Sequence, residues 1–251
     1  MSRDDDLLAG WRAAWAEQPV GWDFADLGDR VSTDSPPWSY DDLAREALGS
    51  SRVAVDLGTG GGEWLLGLRD AWPATVHATE GWAPNLPVAA AALAPHGVEV
   101  RAYDAEAGDR LPYDGGSLDL VLARHEAYDE AEVRRVLRPG GRLLTQQVDG
   151  HEMDDLAGWF GGGAPYPDVT LATLTARAQE AGLVVERAED WAGSVRFADV
   201  TTMLGYLSRM PWQLPQDFSV DAHADTLRAL HRAGGPVVAT TRRFLLEARR
   251  G

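Results

Sequence analysis

Short apolar runs alternate with amphipathic segments through the middle of the chain. Val53–Leu57 is a run of the buried-strand type that ends in glycines, and Leu65–Ala71 after it has helical spacing. Thr75–Thr79 predicts a second strand and Leu86–Leu93 a second helix; Val98–Tyr103 and Leu118–Ala123 predict the third and fourth strands. Asp129–Leu137 reads as a helix stopped by Pro139-Gly140-Gly141, ahead of a fifth strand, Arg142–Val148. Thr170–Ala181 predicts a helix ending at Gly182, Leu183–Ala188 a sixth strand and Val237–Leu246 the last. Alternation of this kind predicts an α/β fold, a parallel sheet with helices on both faces.

Two stretches break the alternation. In the first fifty residues, Leu7, Leu8, Trp11 and Trp15 share a helical spacing. A turn-rich stretch from Pro19 to Pro37 and a helix over Tyr40 to Leu48 follow. The second stretch, Phe197 to Gly235, is largely helical and carries Tyr206, Trp212 and Phe218. The expected organisation is a helical lid segment over residues 1–50 and a domain over 51–251, with a helical insertion at about 197–235. Both irregular stretches are places where such a sheet acquires a lid.

Composition narrows the chemistry. The 251 residues suffice to bury a core without staples. With 23 basic and 39 acidic residues the net charge is −16, which disfavours phosphate-neutralising nucleic-acid binding and docking on an anionic membrane. Every basic residue is Arg, so no lysine Schiff base, P-loop lysine or lysine general base exists. Cys is absent, which removes disulfides, thiol nucleophiles and Cys-ligated metals. Met1–Asp6 is acidic without an apolar signal core, and no stretch approaches a membrane span, so a cytoplasmic protein is expected.

The segment Val53-Ala-Val-Asp56-Leu-Gly58-Thr59-Gly60-Gly-Gly62-Glu63 runs from a strand into a glycine-rich turn and a helix. In open α/β sheets ligands bind at the carboxyl ends of the strands, and glycines there let the backbone approach them. Counted from Gly58, the dinucleotide fingerprint G-x-G-x-x-G fails at Glu63. Further acidic positions close the next strands. Glu80 ends the second and Tyr103-Asp104-Ala105 the third. Leu111-Pro112-Tyr113-Asp114 then leads into Ser117-Leu118-Asp119-Leu120-Val121, and Glu132-Val133-x-x-Val136-Leu137-Arg138-Pro139-Gly140-Gly141 precedes the fifth strand.

Taken in order, these motifs resemble the class I S-adenosylmethionine-dependent methyltransferases over roughly residues 50 to 190. The resemblance implies a Rossmann-like, seven-stranded, mostly parallel sheet whose last strand inserts antiparallel, with an added helical lid. It implies S-adenosylmethionine as cofactor and S-adenosylhomocysteine as product. Asp56 would lie near the cofactor's methionine amino group, Gly58, Thr59 and Gly60 would contact the cofactor, and Glu80 would take the ribose hydroxyls, which a carboxylate can accept as a pair. Asp104 and Ala105 would lie by the adenine, with Arg124 also at the cofactor. The resemblance does not reach the N-terminal stretch or the insertion, where acceptors are usually chosen.

Methyl transfer from a sulfonium is an in-line displacement dominated by alignment, and a base is needed only when the nucleophile must lose a proton. Two histidines are candidates for that role: His125, in Arg124-His125-Glu126-Ala-Tyr128, and His151, past the fifth strand. A cofactor-pocket wall and an ordinary loop position are the alternatives. Arg124 and Tyr128 could orient a carboxylate or phenolate; a surface ion pair is the alternative for Arg124. The Trp count is 10, and Trp11, Trp15, Trp22, Trp38, Trp159, Trp191 and Trp212 lie outside the cofactor motifs. Trp38, Trp159 and Trp212 are candidate substrate contacts with Tyr128, whereas Trp11 and Trp15 are read as pinning the first helix to the sheet. Gly161-Gly-Gly163 reads as a flexible loop. No Asn/Asp-Pro-Pro-Tyr/Phe tetrapeptide is present, which disfavours nucleobase amines as acceptors, and no late Asp-Asn pair suggests a magnesium site.

The expected function is methyl transfer to a small molecule, with secondary metabolism as its setting, no nucleic-acid or membrane partner, no metal, and a homodimer left open. The alternatives are an RNA or protein methyltransferase, a non-catalytic or non-methylating protein that binds the same cofactor, and a nicotinamide oxidoreductase.

Overall fold

The computed structural model describes residues 3–17 and 24–251, so Trp22 and part of the turn-rich 19–37 stretch lie outside the described residues. In chain order the elements begin with α1 (Arg3–Ala16), β1 (Val31–Thr33), α2 (Tyr40–Gly49), β2 (Val53–Leu57), α3 (Glu63–Gly67), β3 (Thr75–Glu80) and α4 (Leu86–Leu93). Then come β4 (Val100–Ala102), β5 (Leu118–Arg124), α5 (Glu130–Val136), β6 (Leu137–Val148), α6 (Asp155–Phe160) and α7 (Leu171–Glu180). The last are β7 (Leu183–Phe197), α8 (Val200–Leu207), α9 (Ala224–Ala233) and β8 (Val237–Arg250).

The chain divides into two units. A sheet unit comprises Pro37–Asp149, Val169–Asp190 and Arg243–Gly251; a helical unit comprises Met1–Pro36, Gly150–Asp168 and Trp191–Arg242. The division falls at Pro36 rather than at residue 50, because α2 buries Tyr40, Ala44, Ala47 and Leu48 within the sheet unit. The Tyr40 hydroxyl donates to the Leu144 carbonyl of β6 at 3.0 Å. The helical unit also takes in Gly150–Asp168, which the pattern of the chain did not set apart.

In the sheet unit the strand order is β7-β8-β6-β5-β2-β3-β4. β4, β3, β2, β5 and β6 run parallel, and β8 enters antiparallel to β6, as the resemblance implies. An eighth strand, β1, pairs antiparallel with the far end of β7 inside the helical unit, Val31 opposite Phe197. The expected count of seven missed it because it is three residues long and lies in a stretch that reads as turn. β5 is buried on both faces through Ala123, as the central strand of a covered parallel sheet must be. One face packs Val55, Leu57, Val121, Ala123 and Leu143 against Val133 and Val136 of α5 and Leu174 and Ala178 of α7.

Capping sets the helix starts. Ser39, Asp129 and Thr170 accept the backbone N–H three residues on, at 3.2, 2.8 and 3.2 Å. Pro139-Gly140-Gly141 does not stop a helix. α5 ends at Val136, and the three residues lie within β6, across a register shift between Leu118 and Leu120 of β5. A Cβ on Gly141 would fall 2.9 Å from the Arg138 carbonyl oxygen and 3.1 Å from that of Leu118, so only glycine fits this bend. β7 continues well past Ala188, because alternate residues stay half-buried while Glu186 and Asp190 point outward.

The helical unit has its own core, in which Trp11, Met153, Leu156, Phe160, Phe197, Met203 and Leu207 are buried. Trp11 meets His231 of α9 edge-on at 5.8 Å, and Trp15 meets Phe218 at 4.9 Å. The ring partners of these tryptophans lie in the helical insertion, within a core that also takes in Val195 and Phe197 of β7 and Val237 and Ala239 of β8. Among the described residues no helix is long and apolar enough to cross a membrane.

Candidate active site

The site is assembled where β2, β3 and β5 of the sheet unit end. After Leu57 the chain turns through Gly58 and Gly60, both at φ 63°, and Gly62 at φ 90° before α3 begins. That left-handed geometry is open to glycine and strained for other residues. The turn is tied to β3: the Thr59 N–H donates to the Thr79 carbonyl at 2.9 Å, and the Gly60 N–H to Glu80 Oε2 at 2.7 Å. Glu80 Oε1 accepts the Trp82 N–H at 2.8 Å. Glu80 thus holds the loops after both strands, and each of its oxygens retains a lone pair for a further donor.

Asp56 is 2% exposed and its Oδ2 has no hydrogen-bond partner. Burial pushes its pKa up to about 7, with Thr59 and the Arg124 guanidinium acting in the opposite direction. An unpartnered buried carboxylate oxygen is costly, and a donor supplied from outside relieves it. Arg124, at the end of β5, also has a buried Nε without a partner, and its guanidinium lies over the Trp64 ring at 5.4 Å. Trp64 is in turn held by Asp41, at 2.8 Å from its indole N–H, and stacks on Tyr40.

Beyond Arg124 the backbone is clipped to β6. The His125 N–H donates to the Gln146 carbonyl at 2.8 Å, and Gln147 Nε2 donates to the Glu126 carbonyl at 2.9 Å. His125 has φ 59°, uncommon for a residue with a Cβ. The Glu126 side chain lies directly against Gly58. Burial pushes its carboxyl up to about 7, and the charges of Glu80, Asp104, Glu106 and Asp56 push the same way. His125 is solvent-exposed as a residue, yet its imidazole is held below the usual range, by desolvation first and by the charges of Arg243 and Arg124.

The structure therefore brings together Asp56, Gly58, Thr59, Gly60, Glu80 and Arg124 from the candidate set. Asp104 stands at the next strand end, where its Oδ1 caps its own turn by accepting the Glu106 and Ala107 N–H groups at 2.9 and 3.1 Å. Ala105 packs on the main core. Trp38 is buried, with its indole N–H donating to Gln146 Oε1 at 2.7 Å. Tyr128 packs its ring against the core shared with α5 and α7, and its hydroxyl is buried. The remaining candidates belong to the helical unit. His151 contacts Asp154 at 3.1 Å, Trp159 packs on that unit's core, and Trp212 is exposed. Among the described residues no group of three His, Asp or Glu side chains is placed to hold a metal ion.

Gln146 and Trp64 belong to the site although the motif reading passed over them, as does Glu126, which that reading quoted beside His125 without giving it a role. The adjacent Gln146 and Gln147 inside an apolar strand were the available signal, since both are buried and buried amides need partners. The cofactor that the motifs imply fits these residues. Its amino group would meet the unpartnered Asp56 oxygen, its ribose diol the free lone pairs of Glu80, and its chain the turn at Gly60, beside which a Cβ would meet nothing within 4 Å.

Residues 54–141 match the family model described as a methyltransferase domain. No curated protein matches the chain. Among solved structures, the YcgJ protein of Bacillus subtilis is 17% identical, covering 84% of this chain and 97% of its own, with a TM-score of 0.59. An S-adenosylmethionine-dependent methyltransferase from Mesorhizobium loti is 19% identical, covering 84% and 98%, with a TM-score of 0.51. A functionally unknown protein from Deinococcus radiodurans R1 is 17% identical and covers 99% of this chain and 100% of its own, with a TM-score of 0.58. These likenesses speak for the fold, and the matched segment spans the glycine turn, Glu80, Asp104 and the His125 loop. The sheet unit of this chain has the fold of the S-adenosylmethionine-dependent methyltransferases, and residues 54–141 within it match a methyltransferase domain.

Proposed function

We propose that the acceptor of the methyl group is a small molecule. The observation that carries this reading is the charge around the glycine turn. Asp56 and Glu80 meet there, Glu126 lies against Gly58, and the field of Asp104 and Glu106 reaches the same carboxyl. Together with the net charge of −16, this surrounding repels a phosphate backbone and favours a cationic ligand. The bound cofactor supplies an electrophilic methyl group. The chain's own part would be to hold it: Asp56 would accept from its amino group, Glu80 from its diol, and the glycine turn at Gly60 would admit its close approach. Alignment of the acceptor with that methyl group then accounts for most of the acceleration.

The test is calorimetric titration with S-adenosylhomocysteine, on the wild type and Glu80→Ala in parallel, followed by product mass in a screen of small molecules, tRNA, rRNA and peptides. Loss of the diol contacts is expected to cost about 1–3 kcal/mol, or about fivefold to over a hundredfold in affinity. A gain of one methyl group confined to small molecules supports the reading. Salt-dependent RNA binding with methylated RNA, or methylated peptide, would replace it, and cofactor binding with product of unchanged mass would point to non-methylating chemistry.

A further inference from the structure

A line of three side chains crosses the carboxyl end of the sheet beside this site. The Trp38 indole N–H donates to Gln146 Oε1 at 2.7 Å, and Gln146 Nε2 lies 3.2 Å from His125 Nε2. The chemistry of the groups fixes every proton on this line. Indole nitrogen only donates, so the amide atom facing Trp38 must be the oxygen. The other amide atom is then an NH2 group, which also only donates, so His125 Nε2 must accept. An imidazole that accepts at Nε2 is neutral and carries its proton on Nδ1. Trp38 and Gln146 are both buried, so water does not readily replace either partner. The backbone adds a second clip between the same residues, from the His125 N–H to the Gln146 carbonyl at 2.8 Å.

His125 stands between Arg124 and Glu126, the two residues that face Asp56 and Gly58. Its Nδ1 has no hydrogen-bond partner among the described residues, and the residue is exposed. We propose that His125 is a fixed hydrogen-bond donor to the methyl acceptor, offering Nδ1–H, and that Trp38 and Gln146 are the positioning residues that keep it from acting as a base. This rests on the small-molecule reading above and sharpens it: the acceptor carries an oxygen or nitrogen lone pair beside the atom to be methylated, and it arrives without a proton that His125 must remove. The charges facing the imidazole, Arg124 from β5 and Arg243 from β8, also oppose its protonation.

Nitrogen-15 spectra of the histidine side chains test the relay without any ligand. In the wild type His125 is expected to show a protonated Nδ1 and a bare Nε2, unchanged from pH 5.5 to 8.5. A proton on Nε2, or titration near pH 6.5, would overturn the proposal. Gln146→Glu provides the converse, because a carboxylate only accepts: His125 should then carry a proton on Nε2 and titrate in the neutral range. An unchanged Nδ1–H signal in that variant would show that Gln146 does not set the tautomer and would sink the relay. With the acceptor found by product mass and S-adenosylmethionine saturating at every pH, kcat/KM for the acceptor should show no limb from His125 over the same pH range. His125→Asn, which keeps an N–H donor, should hold most of it, and His125→Ala should lose about tenfold. A limb near pH 6.5 that His125→Asn abolishes would make His125 a base. Titration with S-adenosylhomocysteine reports separately on the cofactor site, so its failure leaves the tautomer result standing and identifies the cofactor reading as the one at fault.

Discussion

Asp56 and Glu126 store part of the protein's stability as a function of pH. Both carboxyls are pushed up to about 7. A folded-state pKa above the unfolded one means that the stability contributed by the protonated form is complete below about pH 4 and is lost as pH rises through about 7. Asp56→Asn should therefore stabilise the ligand-free protein at pH 8, by about 1–3 kcal/mol, while leaving it little changed at pH 4. Thermal melts at the two pH values check the sign. The same variant should weaken cofactor binding, because it removes the anion that faces the amino group. In the wild type, a cation bound at the turn favours the ionised carboxyls, so affinity should rise between pH 6 and 8. The rise should be steeper for S-adenosylmethionine, which carries the sulfonium charge, than for S-adenosylhomocysteine. Equal slopes in calorimetry would show that Asp56 and Glu126 do not sense the sulfonium.

At the scale of elements, the site depends on where strands stop. β2, β3 and β5 end within reach of one another because parallel pairing sets their register, with Asp56 opposite Ala78 and Leu122. The stops themselves are local. Asp129 caps α5 and so fixes the length of the loop that carries His125 and Glu126; Asp129→Ala should cost about 1 kcal/mol in chemical denaturation. Gly141 lets β6 bend against β5, and Gly141→Ala should cost about 1–3 kcal/mol by crowding two carbonyl oxygens. β6 supplies Gln146 and Gln147 to the clip, and past the register shift at this bend its pairing with β5 places Arg124 opposite Gln146.

At the scale of the molecule, the separate core of the helical unit and the excess of charge matter. The helical unit is organised around Trp11, which is 1% exposed among α8 and α9 residues. Trp11→Ala should destabilise it by about 3–5 kcal/mol and expose residues 200–235 to proteolysis before the sheet unit unfolds. A net charge of −16 on 251 residues is self-repulsive, so the melting temperature should rise between 10 and 200 mM NaCl, where screening shortens to within about 10 Å. A melting temperature that fell with salt would mean that ion pairs such as Arg228–Asp4 and Arg12–Asp221 dominate instead.

The sequence by itself determined the alternation of strand and helix, the glycine turn and the acidic strand ends at Asp56, Glu80 and Asp104. These are local: period, turn chemistry and strand-end polarity are written in consecutive residues. It also determined what chemistry is excluded, since a chain without Lys or Cys has no lysine or thiol nucleophile wherever it folds. Only the tertiary structure decided which side chains meet. Glu126 lies on Gly58 because β5 is the neighbour of β2, although 68 residues separate them along the chain. Trp38, which reads as an open turn residue, is buried on an amide 108 residues away. His125 reads as a base when its own pattern is taken alone; its protons are set by Gln146 and Trp38, and a hydrogen-bond line across two distant segments leaves no periodic trace in the sequence.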